Sequence, residues 1–223
     1  MLRLMKKRIV YISGIGADRR AFSKLDSHLG GEAVFADWIP LESNEEHFTG
    51  YCERLISKYG INSYDILIGL SFGGLIAQQI AKKLGNKTVF LISSFRNKSD
   101  LRPLMYFGLK TGLYKLLPPI RIPIISEMIA FVLNSKNRES KKVITQMMLD
   151  TDFHFMNWCI RQIAVIDLKP EYSENFINLN GDNDKLVKEW IGHSGLTVSG
   201  GSHFMVNDKA KEIASKISSM LNP

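Results

Sequence analysis

YDILIGLSFGGLIAQQIAKKL, residues 64–84, changes character at its centre. Asp65–Leu70 is a short apolar run of strand length, whereas Leu75, Ile76, Ile80 and Leu84 fall at helical spacing and Gly85-Asn86 ends the pattern. Between them stands Gly69-Leu70-Ser71-Phe72-Gly73. A strand that turns directly into a helix needs a sharp bend there, and flanking glycines let the two approach without a Cβ clash. Such a bend would hold Ser71 in a strained conformation above the strand end, at a helix N-terminus where developing negative charge is favoured. A Gly-x-Ser-x-Gly string alone arises in roughly one chain in ten of this size at average residue usage. Its placement at a strand–helix junction, rather than the string, separates a nucleophile from a serine in an ordinary tight turn.

Working outward, short β-branched and apolar runs recur with helical patterns between them, which predicts a parallel sheet covered on both faces. The expected strands are Arg8–Ile12, Ala33–Ala36, Asp65–Leu70, Thr88–Ile92, Asn175–Leu179 and Leu196–Val198. Asp18 can cap a helix whose Phe22, Leu25 and Leu29 share a face, a second helix is expected from about Glu45 to Lys58, and the last from about Lys209 to Leu221. The alternation breaks between about Asn97 and Leu168. There the apolar pattern is helical or irregular and is punctuated by Pro118-Pro119 and Pro123, so the reading is a helical insertion into an α/β domain.

A serine hydroxyl is a weak nucleophile until a base takes its proton. His28, His47, His154 and His193 lie in helical or polar stretches and read as surface residues. His203 differs, because Gly200-Gly201-Ser202-His203-Phe204-Met205 follows the last expected strand and precedes the last helix, at the sheet edge where Ser71 emerges. The imidazole needs a carboxylate to fix its tautomer. Asn180-Gly181-Asp182-Asn183-Asp184-Lys185 follows the penultimate strand and offers two acids, of which Asp184 is favoured and Asp182 competes, either being able to form a turn. For an oxyanion the expected donors are the backbone N–H of Phe72, directly after the nucleophile, and of Ile15 in Ser13-Gly14-Ile15-Gly16 after the first strand.

Composition limits the classes available. With 223 residues the chain is long enough for one well-buried core, and 45% hydrophobic and 23% charged residues exclude disordered, fibrous and membrane-spanning compositions. Leu113–Leu133 is interrupted by Lys115, Arg121, Glu127 and three prolines, against a transmembrane helix, and the N-terminal segment reads as a strand rather than a secretory signal. A cytoplasmic location is expected. Cys52 and Cys159 stand outside any metal-ligand spacing, so neither a disulfide framework nor a metal site is expected. The formal charge of +7 is concentrated, since Arg96–Gln146 holds ten Lys or Arg against three acids. A solvated surface is the plainer reading. No nucleic-acid motif accompanies the charge, but over an acyl-transfer site it could attract an acidic carrier protein or the phosphates of a coenzyme A thioester.

YISGIGADRRAF, DILIGLSFGGLIAQQIA, INLNGDNDKLV and VSGGSHFMV together resemble the α/β-hydrolase superfamily, in its Ser, Asp, His chain order. Ser13 stands where the family often has the histidine of a His-Gly pair. The resemblance implies a compact α/β-hydrolase fold of about six mostly parallel strands, with residues 1–96 and 169–223 as core and 97–168 as an inserted helical lid. It implies a carboxylesterase or thioesterase-like serine hydrolase acting through an acyl-enzyme, with Ser71 as nucleophile, His203 as base, Asp184 as acid and no cofactor. The lid region carries Leu104, Met105, Phe107, Leu113, Tyr114, Leu116, Leu117, Ile125, Met128 and Phe131, followed by Phe153, Phe155, Met156 and Trp158. Such a stripe is more often core than pocket; Phe153 and Trp158 are the candidate substrate contacts. The same fold also serves lyases and ligand-binding proteins, which leaves a non-hydrolytic role as the alternative.

Overall fold

The computed structural model describes residues 7–112, 137–166, 176–189 and 195–221. Strand β1 (Arg8–Ile12) leads through a 3-10 turn (Arg19–Phe22) into α1 (Ser23–Leu29) and β2 (Glu32–Phe35). After α2 (Phe48–Tyr59) come β3 (Ile66–Leu70), α3 (Phe72–Leu84) and β4 (Val89–Ile92). The region expected as an insertion contributes α4 (Pro103–Thr111), α5 (Arg138–Asp150) and α6 (Phe153–Val165). The chain then forms β5 (Phe176–Gly181), β6 (Gly195–Val198), the short α7 (Met205–Asp208) and α8 (Ala210–Leu221). Among the described residues no helix is long and apolar enough to cross a membrane.

The six strands form one all-parallel sheet in the order β2-β1-β3-β4-β5-β6. β1, β3 and β4 are almost wholly buried, as near-continuous Ile, Val and Leu runs require when helices cover both faces. Ile9, Tyr11, Ile68, Phe90 and Ile92 enter one core with α1, α7 and α8, while Val10, Ile12, Leu67, Val89 and Leu91 enter the other with α2 and α3. The chain passes outward from β1 to β2 and returns to the opposite side of β1 as β3. Strand order therefore reverses between β1 and β3, and the crevice beyond their carboxyl ends is where open α/β sheets place ligands. Ser13–Ala17 and Ser71 stand at those ends.

Local differences from the sequence expectation have visible causes. Asp18 does cap, its side chain accepting from the Arg20 amide, but it opens the 3-10 turn that precedes α1. α2 begins at Phe48 rather than near Glu45, because the Glu46 carboxylate is engaged by Arg54 and by the Glu42 amide, which holds residues 42–46 as a loop. The residues Leu113, Tyr114, Leu116, Leu117, Ile125, Met128, Phe131 and His193 lie outside the described residues.

Helices α5 and α6 complete the two cores. Ile144, Met147, Met148 and Met156 join the first, and Phe155, Trp158, Cys159 and Ile163 the second. Polar ties hold them as well. Arg20 bridges Asp18 and Asp150, the Ser140 hydroxyl lies 2.9 Å from Asn207 Oδ1 and 2.6 Å from Asp208 Oδ1, and Arg161 donates to the Asn44 carbonyl.

Trp158 is 0% exposed, stacked on Phe48 and Phe155, tilted against Tyr51 and edge-on to Phe72, with its indole N–H donating to the Glu46 carbonyl at 2.8 Å. The expected substrate contact at this residue is replaced by a core position, since both its apolar body and its polar tip are already satisfied by protein. Trp158→Ala should therefore cost ~3–5 kcal/mol of stability, as large-to-small core changes do. Thermal denaturation would show it as a drop in Tm of about 10 °C. An unchanged Tm would mean that the cavity refills and that the ring is not a core support.

Candidate active site

Ser71 has φ 51° and ψ −118°, a left-handed conformation that costs a non-glycine residue about 1–3 kcal/mol and persists only where surrounding structure enforces it. Three bonds do so. The Ser71 amide donates to Ile92 O at 2.9 Å, and its carbonyl accepts from the Gly74 amide at 2.9 Å and from the Ser94 hydroxyl at 2.7 Å. Gly73 cannot be replaced without displacing β1, because a Cβ there would lie 2.1 Å from Ile12 O and 2.3 Å from Ser13 O. A strand carbonyl and a helix backbone meet at this point, which explains why the motif needs its second glycine.

His203 reaches the elbow from the loop between β6 and α7. Its Nε2 lies 3.0 Å from Ser71 Oγ and its Nδ1 lies 2.8 Å from Asp184 Oδ2. In the tautomer that donates from Nδ1 to Asp184, Nε2 is left to accept the serine proton. Both His203 and Asp184 are buried, while Ser71 keeps partial exposure. Asp184 Oδ1 accepts from the amides of Leu186 and Val187 at 2.8 and 3.0 Å. Burial works to raise the pKa of this carboxyl, but the adjacent His203, its hydrogen bond and the two amides outweigh it and hold the group below the usual carboxylate value. Asp184 thus stays ionised next to the imidazole.

Asp182 is exposed and does different work. Its Oδ1 accepts from the Gly200 amide at 2.7 Å, and beside it Asn183 N donates to Gly201 O at 3.0 Å, so this part of the loop staples β5 to the turn that carries His203. His28, His47 and His154 are exposed and make no part of the site. Cys52 and Cys159 are buried free thiols whose pKa is pushed up by burial, so neither is a nucleophile at neutral pH. No group of three or more His, Cys, Asp or Glu among the described residues could hold a metal ion.

No protein-family model matches the sequence, and no curated protein matches it significantly. Solved structures do match. An esterase from Exiguobacterium antarcticum superposes with a TM-score of 0.75 at 13% identity, over 98% of this chain and 93% of that one. A thermophilic esterase from Thermogutta terrifontis gives 0.75 at 16% identity, over 98% and 90%. An N-acyl homoserine lactonase complexed with N-hexanoyl homoserine gives 0.76 at 11%, over 97% and 88%. The chain has the α/β-hydrolase fold.

In this α/β-hydrolase fold the loop after β1 comes over the elbow. A Cβ on Gly14 would meet Ser71 Cβ at 3.2 Å and Leu70 O at 3.3 Å, so the absence of a side chain is what lets the two backbones touch. Phe72 opens α3, and the first amides of a helix have no acceptor within it. Ile15 is half-buried, packed against both cores at the sheet edge, and its amide donates to no backbone carbonyl among the described residues. The Ser13 hydroxyl is turned back onto Ala17 O at 2.8 Å, bracing the loop. Phe153 is half-buried against the first core at the start of α6.

Three residues that the sequence reading passed over support the site. Ser94 fixes the Ser71 carbonyl; the break of the VFLI run into Ser93-Ser94 at a strand end was the available signal. Trp38 donates to Ala17 O at 2.9 Å and packs on Phe72 and Phe155, which steadies the loop after β1 from the far side. Arg102 Nε donates to the Asp184 carbonyl at 3.1 Å. Nothing in the local sequence marks either of the last two, because their partners are distant along the chain.

Proposed function

We propose that the protein is a serine hydrolase that cleaves a carboxylic ester or thioester through an acyl-enzyme intermediate. The observation that carries this reading is the continuous chain from Asp184 through His203 to Ser71 Oγ, with hydrogen-bond distances of 2.8 and 3.0 Å, at a strained elbow on the switch point of the sheet. The fold shared with esterases and a lactonase agrees with it.

Ser71 Oγ attacks the carbonyl carbon while its proton passes to His203 Nε2, and Asp184 stabilises the imidazolium that results. The oxyanion is received by the amides of Phe72 and Ile15, with the N-terminus of α3 adding a favourable field. Collapse breaks the bond to the leaving alcohol or thiol, which takes the proton from Nε2. Water then gives a proton to Nε2 and attacks the acyl carbon. The second collapse returns that proton to Ser71 Oγ and frees the carboxylic acid. Phe153 and Ile15 would border the acyl group.

The test is covalent labelling. A fluorophosphonate probe should modify Ser71, located by mass spectrometry, and a panel of p-nitrophenyl esters and acyl thioesters should show which leaving group is turned over. A folded protein that takes no label, or takes it elsewhere, would favour the non-hydrolytic alternative of a lyase or a ligand-binding protein.

A further inference from the structure

Ser94 stands two residues past the end of β4, beside the end of β3 where the elbow begins. It is 1% exposed, and its hydroxyl donates at 2.7 Å to the Ser71 carbonyl, which also accepts from the Gly74 amide at 2.9 Å. Two features of the chain serve this bond. A Cβ on Gly74 would lie 2.2 Å from Ser94 Oγ and 2.6 Å from Ser94 Cβ, so the hydroxyl has its place because residue 74 has no side chain. Of the paired glycines at the start of α3, Gly73 leaves room for β1 and Gly74 leaves room for Ser94.

The other feature is strain. Ser93 has φ 47° and is, with Ser71, one of two non-glycine residues in the left-handed region among the described residues. Such a conformation is costly and persists only where its surroundings enforce it. The Ser93 hydroxyl does not account for it, being buried with no hydrogen-bond partner among the described residues. What the turn achieves is direction. The Ser93 amide stays on Leu179 O at 2.9 Å while the chain bends to bring Ser94 onto Ser71. Asn180 Nδ2 then donates to the Ser94 carbonyl at 3.3 Å and to the Lys188 carbonyl at 2.9 Å, tying the turn to the segment after Asp184.

The Ser71 carbonyl shares its peptide unit with the Phe72 N–H. The unit is planar and trans, so the two groups point to opposite sides of it. A bond that stops the carbonyl from swinging therefore fixes the direction of the N–H as well, and a carbonyl polarised by hydrogen bonds makes that N–H a stronger donor. We infer that Ser94 is a positioning residue for the oxyanion, its hydroxyl holding the Ser71–Phe72 peptide so that the Phe72 N–H is aimed at the oxygen of the tetrahedral intermediate. This role rests on the serine-hydrolase reading and adds to it a residue that acts through the Ser71 carbonyl and not on the substrate. Aim matters most once charge has developed, so its loss falls on kcat and not on KM.

The experiment compares Ser94→Ala and Ser94→Cys with the parent on the p-nitrophenyl ester that the parent turns over fastest. It also measures inhibition by a trifluoromethyl ketone, whose tetrahedral adduct on Ser71 carries an oxyanion. Outright loss of an oxyanion donor costs about 10²–10³ in kcat; Ser94→Ala keeps the donor and the Gly74 bond and loosens only the aim, so a fall of about tenfold to thirtyfold is expected. The ketone should bind more weakly by the same factor, while KM changes by less than about twofold. Ser94→Cys keeps a weak donor in nearly the same volume and should fall between the parent and Ser94→Ala. The role is overturned by parent-like kcat in Ser94→Ala, by a loss of kcat with undiminished affinity for the ketone, or by Ser94→Cys doing no better than Ser94→Ala. If Ser94→Ala does not fold, the same two ratios for Ser94→Cys decide: parent-like values overturn the role, and parallel losses support it. A parent that takes no fluorophosphonate label fails the hydrolase reading and this role with it, whereas a labelled, active parent with an unaffected Ser94→Ala overturns the role alone.

Discussion

Ser71→Ala should lower kcat by about a millionfold on any ester the parent turns over, and His203→Ala should do nearly the same, because each removes one end of a single proton-transfer unit. The 3.0 Å contact between Nε2 and Oγ is what makes them one unit. Without the imidazole the hydroxyl keeps its proton, and without the hydroxyl the imidazole has nothing to activate at that carbon. The double variant should consequently be no worse than either single one. Burst kinetics on a p-nitrophenyl ester, supported by circular dichroism to show that the fold is retained, provide the comparison. Losses that add across the two sites would mean that Ser71 and His203 act separately, and retained turnover in Ser71→Ala would require another nucleophile.

The second large effect separates two acids only two residues apart. Asp184→Asn should lower kcat about ten-thousandfold, since an amide neither stabilises the imidazolium nor holds Nδ1–H toward itself. Asp182→Asn should change kcat less than tenfold, because that carboxylate serves the Gly200 amide at the surface, and its main cost would be of order 1 kcal/mol in stability. A pH series adds an independent check. A carboxyl held below its usual value in the folded state contributes stability above the ordinary carboxylate range and loses it as the pH falls through the lowered value. The Tm of Asp184→Asn should therefore depend less steeply on pH at the acid end than that of the parent. If Asp182→Asn produced the larger kinetic loss, the acid would be misassigned.

Much of this architecture is legible in the chain because the deciding signals are local. The strand-to-helix switch at Ser71 is written in the change of apolar period, and β1 begins and ends where its apolar run does. Chain order admits Asp182 and Asp184 alike; the contrast between them becomes physical only when one carboxylate is enclosed and the other faces solvent. Trp158 marks where periodicity stops informing. An aromatic at helical spacing signals a covered face, but whether a ligand or protein covers it depends on Phe48, Tyr51 and Phe72, which are far away in sequence.

The ties made by α5 and α6 give these two helices an energetic status that their place in the sequence does not suggest. Withdrawing α6 would uncover Phe72 and leave the Glu46 carbonyl without its indole partner, and withdrawing α5 would unseat both the turn after β1 and the helix after His203. Opening of either helix would therefore break into the cores that cover the sheet, and native-state hydrogen exchange of α5 and α6 is expected to track that of the body. In the proposed hydrolysis, substrate would reach Ser71 with α5 and α6 in place, the two helices acting as fixed masonry of the body rather than as a door.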